Sequence, residues 1–144
     1  MRFDLIDRVT HQDSDRIVAV KAVTNAEEYL GDHFPGFAVL PGVMMLETLV
    51  QAGRLLLASR GVGAGAQPPL VVSEVRNVRY GNMVRPGQTL RVEVTLRKSE
   101  ADANGAWDLE GTGSVLDPSQ EQSTDQSTEK LVAVQGRFKL VPLA

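Results

Sequence analysis

The sequence predicts an α+β domain in which a curved antiparallel sheet wraps one long helix. Three observations carry this. Residues 43–60 form a single long helix candidate that is apolar on almost every side. Every patterned segment after it alternates with the period of a strand. A chain of 144 residues suits one domain, spanning 1–144, with one sheet available to cover that helix.

The elements follow in order. Residues 17–23 are rich in Val and Ala and come after a polar turn, His11 to Asp15, so they read as a strand. Asn25 is placed to cap a short helical turn, with Glu28 three residues on, and Gly31 ends it. Pro41-Gly42 marks the start of the long helix and Gly61 sits just past its end. The one polar interruption of that helix is Glu47, Gln51 and Arg54, spaced i, i+4, i+7 and therefore on one side. Residues 61–69 are Gly/Ala/Pro-rich and read as a loop. Residues 70–75 are an apolar strand. Leu90, Val92, Val94 and Leu96 alternate with polar partners, and the same alternation recurs from Trp107 to Val115 and from Val132 to Leu140. The polar run within residues 117–130 predicts a mobile hairpin insertion. A helix this apolar, served by one small sheet, leaves a face that wants a partner subunit.

Composition narrows the function classes. The net charge of −3 gives no basic footprint for nucleic acid. There are no cysteines, which excludes disulfides, thiolate metal sites and cysteine nucleophiles. The most apolar stretch, residues 43–58, is short for a membrane span and carries Glu47 and Arg54. The opening residues carry Asp4 and Asp7, unlike a signal peptide. A soluble, cytoplasmic protein is the expectation.

The chemistry concentrates in residues 31–47. His33 stands in a Pro/Gly-rich loop before the helix, and imidazole exchanges protons near neutrality. Glu47 lies more than one turn inside the helix among Leu and Met, where burial would favour its proton-donating form. Gly42 is at the helix N-terminus, with a free N–H and the positive end of the helix dipole. A base, an acid and an oxyanion donor are thus encoded close together. Taken singly, each has a plainer reading: a surface histidine, an exposed or ion-paired glutamate, and ordinary helix punctuation.

Taken together, His33-Phe34-Pro35-Gly36, then Pro41-Gly42, Glu47 and Gln51-Ala52, resemble the active-site signature of the β-hydroxyacyl–acyl carrier protein dehydratases, the FabZ type. Asp7-Arg8-Val9, Val78-Arg79-Tyr80 and Val84-Arg85-Pro86-Gly87 are similar to further motifs of that family. The resemblance implies the hot-dog fold. It implies a homodimer, often assembled further into a trimer of dimers, with histidine and carboxylate coming from different subunits. It implies that His33 removes the proton at C2 of a (3R)-hydroxyacyl thioester on acyl carrier protein. Glu47 would protonate the departing hydroxyl, Gly42 N–H would bind the thioester carbonyl, and the carbonyl of Val39 would orient the histidine ring. No metal or organic cofactor is implied.

Gln51 has two readings, as a support for Glu47 or as a side chain satisfied at an interface. His11 reads as a surface residue. Arg76, Arg79, Arg85, Arg91, Arg97 and Lys98 cluster in sequence and are candidates to receive an acidic carrier protein, or to be a solvated sheet face. Phe37-Ala38 replaces the basic-Pro pair usual in the family, and Thr48 stands where alanine is common. Two other functions share the fold: an acyl thioesterase, and a non-catalytic module that binds acyl groups or carrier protein.

Overall fold

The computed structural model describes residues 3–118 and 131–143. Among the described residues, six strands form one sheet in the order β1-β2-β4-β5-β6-β3. Their ranges are β1 Arg8–Gln12, β2 Arg16–Ala22, β3 Leu70–Tyr80, β4 Thr89–Leu96, β5 Trp107–Leu116 and β6 Leu131–Pro142. All five pairings are antiparallel. The helix α1, Gly42–Ser59, lies against this sheet, which is the hot-dog arrangement. Residues 119–130, the greater part of the expected hairpin insertion, lie outside the described residues.

The alternating segments become the central strands because alternation gives each one apolar face. Leu90, Val92 and Val94 on β4, Leu109 on β5, and Phe138 and Leu140 on β6 are buried on the inner side. Leu49, Leu56 and Leu57 of α1 are fully buried against them. Each contributes about 1.5–3 kcal/mol by leaving water.

The helix ends as its sequence predicts. Gly61 has φ of 79°, which favours glycine, and donates to the Ala58 carbonyl. Val62 N–H reaches back to Leu57, completing a Schellman cap.

The structure departs from the sequence expectation at four places. The polar segment around His11 is not all turn. It belongs to β1, and the turn is confined to Asp13–Asp15, where Asp13 accepts the N–H groups of Asp15 and Arg16. The short helical turn is a 3-10 turn, Glu28–Gly31, and its box sits one residue early. Glu27 accepts the N–H of Thr24, while Thr24 Oγ1 accepts that of Ala26. Strand β3 runs five residues past Val75, through an irregularity between Arg76 and Arg79 where Asn77 has φ of 55°. Finally, α1 is not buried all round. Val43 is 68% exposed and Leu55 41%, because the sheet covers only one side of the helix.

A buried ion pair braces the approach to the His33 loop. Lys21 of β2 meets Glu27, and the Tyr29 hydroxyl donates to the same carboxylate at 2.6 Å. Burial works against a charged Glu27. The bonds from Lys21, Tyr29 and the Thr24 N–H outweigh it and hold the carboxyl below its usual range. Burial, then the bond to Glu27, push the Tyr29 hydroxyl up.

Candidate functional site

His33 is held by its own loop. Its Nδ1 lies 2.8 Å from the Val39 carbonyl oxygen. A carbonyl only accepts, so Nδ1 carries the proton of the neutral ring and Nε2 keeps its lone pair. Val39 N–H in turn donates to the His33 carbonyl at 2.9 Å. The intervening turn closes through a reciprocal pair, Phe34 N–H to Phe37 O and Phe37 N–H to Phe34 O. The Phe34 ring stacks on the imidazole, with centroids 4.2 Å apart. Arg85 covers the Phe37 ring at 4.1 Å, so its charge rests on an aromatic face.

The loop leads directly into α1. Pro41 is the N-cap, and no side chain caps the helix. Its first residues, Gly42 and Val43, line the neighbouring groove, at the end of the helix where the dipole is positive. Gly42 is the first helical residue there. A Cβ at this position would come 2.8 Å from Cε1 of Tyr80, so any larger residue must push that ring aside. His33, Gly42, Val43, Tyr80 and Met83 line one groove of about 400 Å³, with Val39 in its wall.

Glu47 lines a different groove, of about 670 Å³, between the exposed side of α1 and the N-terminal segment. Within one chain the two grooves share no lining residue. The Glu47 side chain is 36% exposed, so the chain by itself does not supply the burial expected from its Leu and Met neighbours. Of those neighbours, Met45 and Leu49 are buried while Met44 and Leu46 are only partly so.

Gln51 contacts both Glu47 and the N-terminal segment of its own chain. Its Nε2 lies 3.2 Å from Glu47 Oε1 and also donates to the Phe3 carbonyl, while its Oε1 accepts Leu5 N–H at 2.7 Å. Arg54 reaches Glu47 Oε1 at 3.4 Å and the Leu70 carbonyl at 3.0 Å. Thus His33, Val39 and Gly42 come together, and Glu47 and Gln51 come together apart from them.

Four of the six clustered basic residues have a close partner. Arg76 pairs with Glu74, Arg91 with Glu93, and Arg97 with Asp108 and Glu110, while Arg85 is spent on Phe37. Alternate positions on strands bring opposite charges side by side. His11 is exposed beside Asp13, a surface residue as expected.

Two contributors to these grooves were given no role from the sequence, although Tyr80 and Asp7 belong to motifs of the resemblance. Tyr80 and Met83 wall the His33 groove from the far end of β3 and the turn after it. They carry no chemistry of their own that a spacing would flag. The segment from Phe3 to Asp7 walls the Glu47 groove, brought there by contacts across more than forty residues. Among the described residues, no helix is long and apolar enough to cross a membrane.

The chain is similar in sequence to proteins of known name. The 3-hydroxyacyl-[acyl-carrier-protein] dehydratase FabZ of Oenococcus oeni is 42% identical over 106 residues, covering 73% of this chain and 75% of that one. The protein of the same name from Coxiella burnetii is 38% identical over 117 residues, 80% of each chain. Among solved structures, the dehydratase heterocomplex ApeI:P from Xenorhabdus doucetiae superposes with a TM-score of 0.64 at 18% identity, over 97% of this chain and 99% of that one. A hypothetical thioesterase from Streptococcus pneumoniae gives 0.62 at 11% identity, over 99% of each chain. These two structural likenesses concern the fold alone. Residues 1–117 match the family model described as a FabA-like domain, and with relatives this similar the chain belongs to the FabA-like family.

Proposed function

We propose that this chain is a 3-hydroxyacyl-[acyl-carrier-protein] dehydratase. It converts (3R)-hydroxyacyl thioesters to trans-2-enoyl thioesters in fatty acid or related acyl-chain synthesis. A cytoplasmic setting, with acyl carrier protein as partner, is part of the same reading. The observation that carries it is the His33–Val39 pair beside the uncapped start of α1. The names borne by its relatives point the same way.

The reaction follows from the groups. The thioester carbonyl sits at Gly42 N–H, where the helix dipole stabilises charge developing on its oxygen. One such donor is worth roughly 10²–10³ in rate. His33 Nε2 takes the C2 proton, and Nδ1–H stays on the Val39 carbonyl so that the imidazolium is stabilised as it forms. Glu47 gives its proton to the C3 hydroxyl, which leaves as water while the C2–C3 double bond forms. Each positioned acid or base contributes on the order of 10²–10⁴.

The site is built from two subunits in this proposal. His33 and Glu47 occupy separate grooves of one chain. Strand β3 is an edge of the sheet, eleven residues long, with Val72, Val75 and Tyr80 exposed. Pairing β3 with its copy covers that edge and the exposed side of α1. It also lays the His33 loop of one protomer over the Glu47 groove of its partner.

The test is to incubate the protein with a (3R)-hydroxyacyl thioester of acyl carrier protein and follow ultraviolet absorbance of the conjugated enoyl product. Appearance of that absorbance supports the proposal. Release of free thiol in its place makes the protein a thioesterase, and neither signal leaves it a binding module.

A further inference from the structure

The groove that holds Glu47 continues along α1 beyond the carboxylate. Gln51, Arg54, Leu55 and Ala58 line it with Glu47, and Gly63 joins them from the loop after the helix. They stand at i+4, i+7, i+8 and i+11 from Glu47, one face of a helix that rises about 16 Å over that span. Leu55 and Ala58 would suit an apolar tail. Arg54 stands before them.

Arg54 is fixed from two sides. Helical side chains lean toward the N-terminus, which brings its guanidinium back over the preceding turn. There Nη1 meets Glu47 Oε1 at 3.4 Å, and Nε donates to the Leu70 carbonyl at the start of β3 at 3.0 Å. The barrier therefore begins at the catalytic carboxylate itself. An alkyl chain laid past it would strip water from a cation and return no hydrogen bond.

We infer that Arg54 is a specificity-determining residue that closes the acyl channel just beyond Glu47 and restricts the substrate to short 3-hydroxyacyl chains. The inference rests on the dehydratase reading, because Glu47 marks where C3 of the substrate lies. In an unbroken apolar channel each added methylene raises kcat/KM about fourfold. Here that gain stops where the guanidinium stands.

The experiment measures kcat/KM for 3-hydroxyacyl thioesters from butyryl to dodecanoyl, with wild type, Arg54→Leu and Arg54→Ala. Removing Arg54 also removes a bond to Glu47, which lowers every chain length alike, so the readout is the ratio of decanoyl to butyryl. Wild type is expected to favour the short chains. Both variants are expected to raise the ratio at least about tenfold, a gain smaller than a few recovered methylenes would give. Wild type preferring decanoyl and dodecanoyl, or variants with an unchanged ratio, overturns the inference and leaves the dehydratase reading standing. No enoyl product from wild type at any length overturns that reading itself. If neither variant folds, Arg54→Lys, which keeps the charge but shortens the reach, and Arg54→Gln, which removes the charge, are measured for the same ratio, and a ratio unchanged in Arg54→Gln overturns the inference.

Discussion

His33 and Val39 bond to each other twice: the ring Nδ1 to the Val39 carbonyl at 2.8 Å, and Val39 N–H back to the His33 carbonyl at 2.9 Å. The second bond fixes the loop and the first fixes the ring within it. A histidine held this way presents one defined nitrogen to the groove. His33→Ala should therefore lower kcat at least about 100-fold. His33→Gln can imitate the bond to Val39 but not the base, and should be equally inactive. Thermal melts within a few degrees of wild type would assign the loss to chemistry. A near-normal rate in either variant would remove His33 from the mechanism.

Sites shared between subunits make a distinctive prediction. His33→Ala and Glu47→Gln should each be inactive alone. Refolded together at equal amounts, half the dimers are mixed and each mixed dimer has one intact site, so about a quarter of wild-type activity should return. No recovery, with mixed dimers verified by mass, means both groups act within one chain.

Gly42 is defined by the ring beside it. An alanine Cβ would lie 2.8 Å from Tyr80 Cε1, and the ring, which is half exposed, has room to yield. Gly42→Ala should thus cost less than about 1 kcal/mol of stability. Its rate should fall at least about tenfold, because the displaced ring enters the place of the thioester. Equal activity with unchanged KM would mean that the carbonyl binds elsewhere.

The Lys21–Glu27–Tyr29 network predicts acid sensitivity. Glu27 is held below its ordinary value of 4.5, with burial opposing and the three donors prevailing. A depressed carboxyl stabilises the fold above its unfolded value, and that stability is lost as pH falls through the folded one. Unfolding free energy from urea titrations should therefore drop from pH 5 toward pH 3. Glu27→Gln should flatten that slope. At pH 7 the same variant should cost about 3 kcal/mol, since it leaves Lys21 buried without its counter-charge. An unchanged acid slope would place the proton uptake on other carboxyls.

Much of the fold was legible because one rule dominates each element. The alternation of β4, β5 and β6 and the apolar run of α1 translate directly into a covered helix. Strand β1 escaped because all five of its residues are exposed, so it carries no alternation to detect. The second half of β3 escaped because the irregularity at Asn77 interrupts the period. The local part of the site, His33 to Gly42, is contiguous in the chain and could be seen there. The ties from Gln51 to Phe3 and Leu5 depend on tertiary approach and left no local mark. The exposure of Glu47 was missed because neighbours along a helix say little about which side the sheet will take.

The sheet order carries a consequence for biogenesis. Strand β3 is made halfway through the chain, yet its partner is β6, with Leu70 opposite Pro142. During translation an eleven-residue strand waits with neither flank hydrogen-bonded until the final strand leaves the ribosome. Closure of such a long loop is slow, and the waiting strand is open to foreign pairing meanwhile. Synthesis rate and chaperone supply should therefore govern the yield of this protein more than its finished stability does.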